Sequence, residues 1–228
     1  MPKSTNIAAR ASETQVYTDR EGNTGTLTTR LEIQAESEHA CCAFVEARFA
    51  LKMDGANEKQ RAKNIGHLYA YLVDRTALDK AGGRPLYLIE LTNSSHTSEV
   101  ATVFCEVFTK AGDVRAALEA QRQQLAGEEE ILLIDTLWLR EEYHGKGVAQ
   151  MVVSSFHSLL PRLTNGYAFR GTVLLSPATS ANYKKDNGKS DVDVEAALVR
   201  SYEKSGYVVW KRGSEEVEGS VTVMGRVI

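Results

Sequence analysis

"EEYHGKGVAQMVV", residues 141 to 153, sets Gly145, Gly147 and Ala149 between an apolar run and an amphipathic one. A strand, a glycine loop and a helix in succession make an anion site for a plain physical reason. The first helical turn leaves backbone N–H groups unpaired, the macrodipole puts partial positive charge there, and glycine lets a phosphate oxygen approach without meeting a Cβ. Each such interaction is worth roughly 0.3–1 kcal/mol when exposed and more when partly buried. Lys146 adds a mobile cation, and His144 stands just ahead of the glycines. The spacing is neither GxxxxGK[ST] nor GxGxxG, and the next apolar run, "TVLLSP", lacks the terminal acid that binds a ribose in a dinucleotide fold. On these residues alone a structural turn and a phosphate cradle both stay open.

The other reactive side chains offer less. Cys41 and Cys42 are adjacent and Cys105 is distant, which fits neither a disulfide framework nor a metal-ligand spacing, so no metal is expected. His39 and His67 have no partners at ligand spacing and read as structural. Glu128 to Glu130 form a charge run expected to be solvated, because paired carboxylates need burial or each other to shift their pKa.

Composition narrows the classes. With 228 residues, 43% hydrophobic and 25% charged, the chain has apolar material for a real core. A formal charge of -3 argues against a protein that wraps nucleic acid or coats an anionic membrane. No stretch approaches the roughly 20 apolar residues that span a bilayer, and "MPKSTNIAARASETQ" has no signal-peptide core. Together with the cysteine usage this leads us to expect a cytoplasmic protein.

The elements that must hold the loop are read from periodicity. Residues 1–15 are polar and aperiodic and read as a flexible tail; 16–228 read as a single domain. Within it, 26–74 carry three alternating strands: "GTLTTRLEIQ", "CCAFVEARFALKM" and "NIGHLYAYLVDR". Residues 92–127 form a helical segment, with Val100, Val103, Phe104, Val107 and Phe108 at helical spacing after the capping run "TNSSHTSE". In 131–228, "ILLIDTLWL" reads as a central strand buried on both faces. A helix along Val148, Met151, Val152, Ser155, Phe156, Leu159 and Leu160 follows and stops at Pro161. "GTVLLSP" is a short strand, "VEAALVRSYEKSG" a helix capped by Gly206, and "YVVWKR" and "SVTVMGRVI" are closing strands.

This C-terminal half resembles the GNAT superfamily of acyl-CoA-dependent N-acyltransferases. "LWLREEYHGKGVA" places Leu137, Leu139, Tyr143, Gly145, Gly147 and Ala149 in register with that family's Arg/Gln-x-x-Gly-x-Gly/Ala signature, and "YEKSGY", Tyr202 to Tyr207, matches its Tyr-Glu-Lys-x-Gly-Phe/Tyr segment. His144 occupies the usual Arg/Gln position, and Glu195 stands where an asparagine is common. The resemblance implies an α+β fold: a mixed, mostly antiparallel central sheet flanked by helices and splayed at the acyl-CoA site.

It also implies roles. Acetyl-CoA is the cosubstrate; its pantetheine pairs with main-chain groups of Leu137 and Leu139. Its pyrophosphate rests on His144, Gly145, Lys146, Gly147, Val148 and Ala149. With a neutral imidazole at position 144, coenzyme A affinity is expected to be reduced or pH-sensitive. The acceptor is a primary amine, on a small molecule or a peptide, attacking directly in a ternary complex; a homodimer is left open. Tyr202 is the expected proton donor to the departing sulfur, with an ordinary core tyrosine as the alternative. Asp135 is the expected base, with the end of a hydrogen-bond ladder as its alternative. Tyr183, Lys184 and Lys185 lie in a polar insertion over 178–193, read either as a substrate loop or as a tolerated surface segment. A GNAT-fold module that binds without turnover is the competing function.

Overall fold

A computed structural model describes residues 7–35, 41–55, 61–77, 98–178, 190–214 and 220–228. Eight strands make one mixed sheet in the order β1-β2-β3-β4-β5-β6-β8-β7. They are β1 (Ile7–Thr18), β2 (Thr24–Ala35), β3 (Cys42–Met53), β4 (Lys63–Asp74), β5 (Glu130–Leu139), β6 (Thr172–Leu175), β7 (Val208–Lys211) and β8 (Val223–Val227). The helices are α1 (Ser98–Val107), α2 (Glu119–Ala126), α3 (Val148–Leu159) and α4 (Asp191–Lys204). β1–β2, β2–β3, β6–β8 and β7–β8 pair antiparallel, and β5–β6 pair parallel. This is the α+β class and the mostly antiparallel mixed sheet expected from the sequence. Among the described residues no helix is long and apolar enough to cross a membrane.

The chain divides into two compact units: Met1–Glu38, Ala43–Ala70 and Thr136–Arg170 in the first, His39–Cys42, Tyr71–Asp135 and Gly171–Ile228 in the second. In the first unit, register sets the core. Leu27 opposes Leu51, Thr29 opposes Phe49, Leu31 opposes Ala47 and Ile33 opposes Val45, so eight buried side chains share one face. α3 packs on β1 and β2 and buries Val148, Val152, Val153, Phe156 and Leu159, each large apolar side chain contributing about 1.5–3 kcal/mol.

Residues 7–15, expected as tail, form most of β1. The periodicity was hidden because the inward positions are partly polar. Glu13 faces α3, where its carboxylate accepts from Ser155 Oγ, from Ser158 Oγ at 2.6 Å and from Arg162 Nη1 at 3.1 Å. A strand that buries a carboxylate against hydroxyls does not show an apolar alternation.

In the second unit, Val100, Val103, Phe104, Val107 and Phe108 of α1 pack with Leu118, Leu125, Ile131, Leu133, Leu174 and Val223, the face expected from their spacing. Arg75 stitches the surrounding turns: its guanidinium donates to the carbonyls of Leu125, Glu128 and Gly112 and lies 4.3 Å from the Phe108 ring centroid. Glu128 departs from the solvated run expected. It is half-buried and accepts from Thr172 N at 3.1 Å and Thr172 Oγ1 at 2.7 Å, while Glu129 and Glu130 are exposed. Partial desolvation by the neighbouring protein at the start of β5, then Asp74 and Glu129, push the Glu130 carboxyl up.

The capping run before α1, His39, and Tyr183, Lys184 and Lys185 lie outside the described residues. The end of the expected insertion is helix instead. Ser190 is the N-cap of α4, its Oγ accepting from Asp193 N at 3.2 Å, so 191–193 form the first turn.

Candidate functional site

β5 carries the first part of the site because it outlasts its neighbour. β6 pairs with it only at Leu132–Val173, Leu133–Leu174 and Ile134–Leu175. Pro177, lacking an N–H, follows Ser176 and prevents the ladder from continuing. β5 runs on to Leu139. Arg140 N donates to Ile65 O at 2.9 Å, which turns the main chain of the even-numbered residues here toward β4. By alternation the main-chain groups of Leu137 and Leu139 face the opposite edge, where no strand partner follows Ile134 among the described residues. Asp135, half-buried, precedes them in the same register.

The loop after β5 is held from below and open above. A 3-10 turn, Glu141–Tyr143, is tied by Arg140 Nε to Asn64 O at 2.8 Å and by an ion pair of Lys63 with Glu142. The Lys63 contact holds the Glu142 carboxyl below its usual range. Gly145 and Gly147 have φ of 71° and 79°, the left-handed region, and a Cβ at either would meet nothing within 4 Å. Gly147 is the N-cap of α3 and offers no side-chain cap. Residues 144–147 form a turn into the helix, and the first-turn amides Val148 and Ala149 have no intrahelical acceptor, as at any helix start. Val148 is buried and anchors the helix; Lys146 is exposed, and its charge contributes to the lowered pKa of Asp19, after the hydrogen bonds from Asn23 and Glu21.

His144 behaves differently from a phosphate ligand held ready. Its Nε2 lies 3.0 Å from Leu139 O. A carbonyl only accepts, so the proton sits on Nε2 and the ring turns back onto the end of β5.

Tyr202 belongs to the second unit, in a helix end with a complete physical account. Ser205 is the C-cap of α4, and Gly206 follows with φ of 84°. Gly206 N donates to Glu203 O at 3.0 Å and Tyr207 N to Tyr202 O at 3.1 Å, the two bonds of a Schellman motif. The hydrophobic contact that accompanies this motif is the edge-on packing of the Tyr202 and Tyr207 rings, centroids 5.7 Å apart. Arg226 Nη1 donates to Ser205 O. Burial drives the Tyr207 phenol pKa well up; Tyr202 adds to this and Arg226 opposes it. Glu195 accepts from Thr222 Oγ1 at 2.6 Å, so it packs the helix on the closing strands.

Sequence reasoning passed over Gly66. A Cβ there would lie 2.3 Å from Trp138 O and 2.7 Å from Leu139 Cδ2, so only glycine lets β4 come this close to β5. An isolated glycine inside a strand pattern was the available signal.

The architecture is that of an α+β protein with a parallel strand pair that parts after three residues. No family model matches the chain, and no curated protein does. Among solved structures it is similar to an acetoin utilization protein from Exiguobacterium sibiricum, at 10% identity and a TM-score of 0.42, covering 95% of this chain and 86% of that one. It is also similar to a putative arylalkylamine N-acetyltransferase 7 of the yellow fever mosquito, at 10% identity and a TM-score of 0.41, covering 99% and 97%.

Proposed function

We propose that the chain is an N-acyltransferase that moves an acetyl group from acetyl-CoA to a primary amine. The observation that carries this is the continuity of two features: the edge of β5 at Leu137 and Leu139, past its last strand pairing with β6, runs directly into left-handed glycines with open space above them. An extended amide chain ending in a pyrophosphate needs that pair in that order, a strand edge and then a helix N-terminus. Leu137 and Leu139 would hold pantetheine by their main chain, and Gly145 to Ala149 the pyrophosphate by their amides. The bound thioester supplies an activated acyl carbonyl. An alkylammonium with pKa near 10.4 must lose a proton before it can attack, and Asp135 is the carboxylate the reading assigns to receive it. Tyr202 Oη is assigned to donate the proton to the leaving sulfur.

Thermal unfolding with and without coenzyme A tests the reading. A ligand at 100 times its Kd that binds only the folded chain stabilises it by about 2.7 kcal/mol. No shift at millimolar coenzyme A overturns it. Given binding, release of free thiol across a panel of amines identifies the acceptor. The competing reading, a binding module without turnover, is favoured by one observation: the hydrogen bond of His144 on Leu139 O engages the edge that pantetheine would use. Coenzyme A binding with no thiol release from any amine would select it.

A further inference from the structure

A row of rings crosses the first unit and stops at β5. Phe44 of β3 lies 5.3 Å from Tyr69 of β4, centroid to centroid. Tyr69 stacks on His67 at 4.4 Å with 23° between planes, and His67 on Trp138 at 5.3 Å with 22°. The row stands on the face of β3 opposite the buried Val45, Ala47 and Phe49, so it is outside that core. Phe44, Tyr69 and His67 are half-buried, while Trp138 is 47% exposed. An indole of this size left in water forgoes much of the burial energy that aromatic side chains supply.

The row is uncharged and fixed. Burial lowers the His67 pKa, with Glu46 opposing and Arg48 reinforcing, so the imidazole is neutral at neutral pH. Arg48 Nε and Nη2 each lie 2.8 Å from the Glu46 carboxylate, which takes that charge out of play. Gly66 brings β4 onto β5 and so sets the stacking distance. Among the described residues His67 is the only ring against Trp138. The stack runs from β3 through β4 to β5, so its next position lies beyond β5, beside Leu137 and Leu139. Among the described residues no ring continues the series past Trp138.

We propose that Trp138 is the acceptor platform: it takes a primary amine carrying a flat ring, which completes the stack at β5 and presents its nitrogen at the Leu137–Leu139 edge. The identification of the ligand as an acceptor rests on the acyl-transfer reading; the ring preference rests on the stack alone. Proton and bond changes balance without a further reagent. The ammonium gives up one proton, its nitrogen bonds the acyl carbon as the C–S bond breaks, and the second proton lost from nitrogen ends on the thiolate.

Calorimetric titration of the full chain with 2-phenylethylamine and with hexylamine, matched in charge and differing in the ring, tests this. An offset-stacked pair is worth about 0.5–1.5 kcal/mol, so the ring-bearing amine should bind roughly two- to tenfold tighter. Trp138→Leu should bring the ratio to about one, and Trp138→Phe should keep it. Equal affinities in the wild-type chain, no binding of either amine, or a ratio unchanged in Trp138→Leu overturns the proposal. Thermal shift by coenzyme A on the same samples separates the two readings. A lost shift with the ring preference intact removes only acyl transfer, and a shift without ring preference removes only the platform.

Discussion

Two left-handed glycines end up at opposite poles of a helix and do opposite things. Gly147 opens α3 with φ of 79°, and a Cβ there would meet nothing within 4 Å. Gly206 closes α4 with φ of 84°, and there the carbonyls, both tyrosine rings and Arg226 are all engaged. Both motifs supported the same resemblance. Packing around Gly206 engages that glycine in the fold, whereas space is open at Gly147, so the proposed ligand site falls at the first and not the second.

Substitutions at the two glycines should therefore fail in different ways. A Cβ at Gly147 meets nothing within 4 Å, so Gly147→Ala costs the backbone strain alone, about 1–2 kcal/mol. Its main effect should be loss of the coenzyme A stabilisation of about 2.7 kcal/mol at 100 times Kd. Thermal shift in the variant reads this, and a retained shift would make the loop a plain turn. Gly206→Val adds a Cβ 3.1 Å from Arg226 Nη1 to the same strain and disturbs the Schellman bonds. A stability loss of about 2 kcal/mol in urea unfolding is expected, with coenzyme A still stabilising what remains folded.

Tyr202 decides how far the comparison extends. The Schellman contact uses the ring, which Tyr202→Phe keeps, so urea unfolding should fall by no more than the worth of one hydrogen bond, about 1.5 kcal/mol. As the proton donor it needs its hydroxyl, and the same variant should then lose about 100-fold or more in turnover at unchanged coenzyme A affinity. Full turnover in the variant would leave the residue a structural role alone.

The legible parts were those where one face is apolar. α1 shows its buried stripe because every inward residue from Val100 to Phe108 is hydrophobic, and β5 shows as central because Ile131 to Ile134 are all buried. β1 was invisible because its inward Glu13 is satisfied by partners 142 to 149 residues away. The glycine loop was legible as a loop, since two glycines so close suggest positive φ. The turn of the His144 ring onto β5 was not, because a side-chain-to-carbonyl bond leaves no periodic trace. Nor was the ring row, whose members come from three strands and meet only through pairing.

That His144 bond yields the finest test of the open loop. A neutral hydrogen bond contributes about 0.5–1.5 kcal/mol net, and here it engages the last main-chain acceptor on the β5 edge. If pantetheine uses that carbonyl, the ring must give way or share it, and each coenzyme A molecule bound forfeits part of this energy. His144→Ala should then bind coenzyme A about two- to fivefold more tightly, since the energy no longer lost on displacement is of order 0.5–1 kcal/mol. If the imidazole instead swings out to contact the phosphates, the same variant binds more weakly. Calorimetric titration of coenzyme A distinguishes the two by sign alone. Weaker binding would return His144 to the ligand set, and tighter binding would make it a competitor for the edge it now covers.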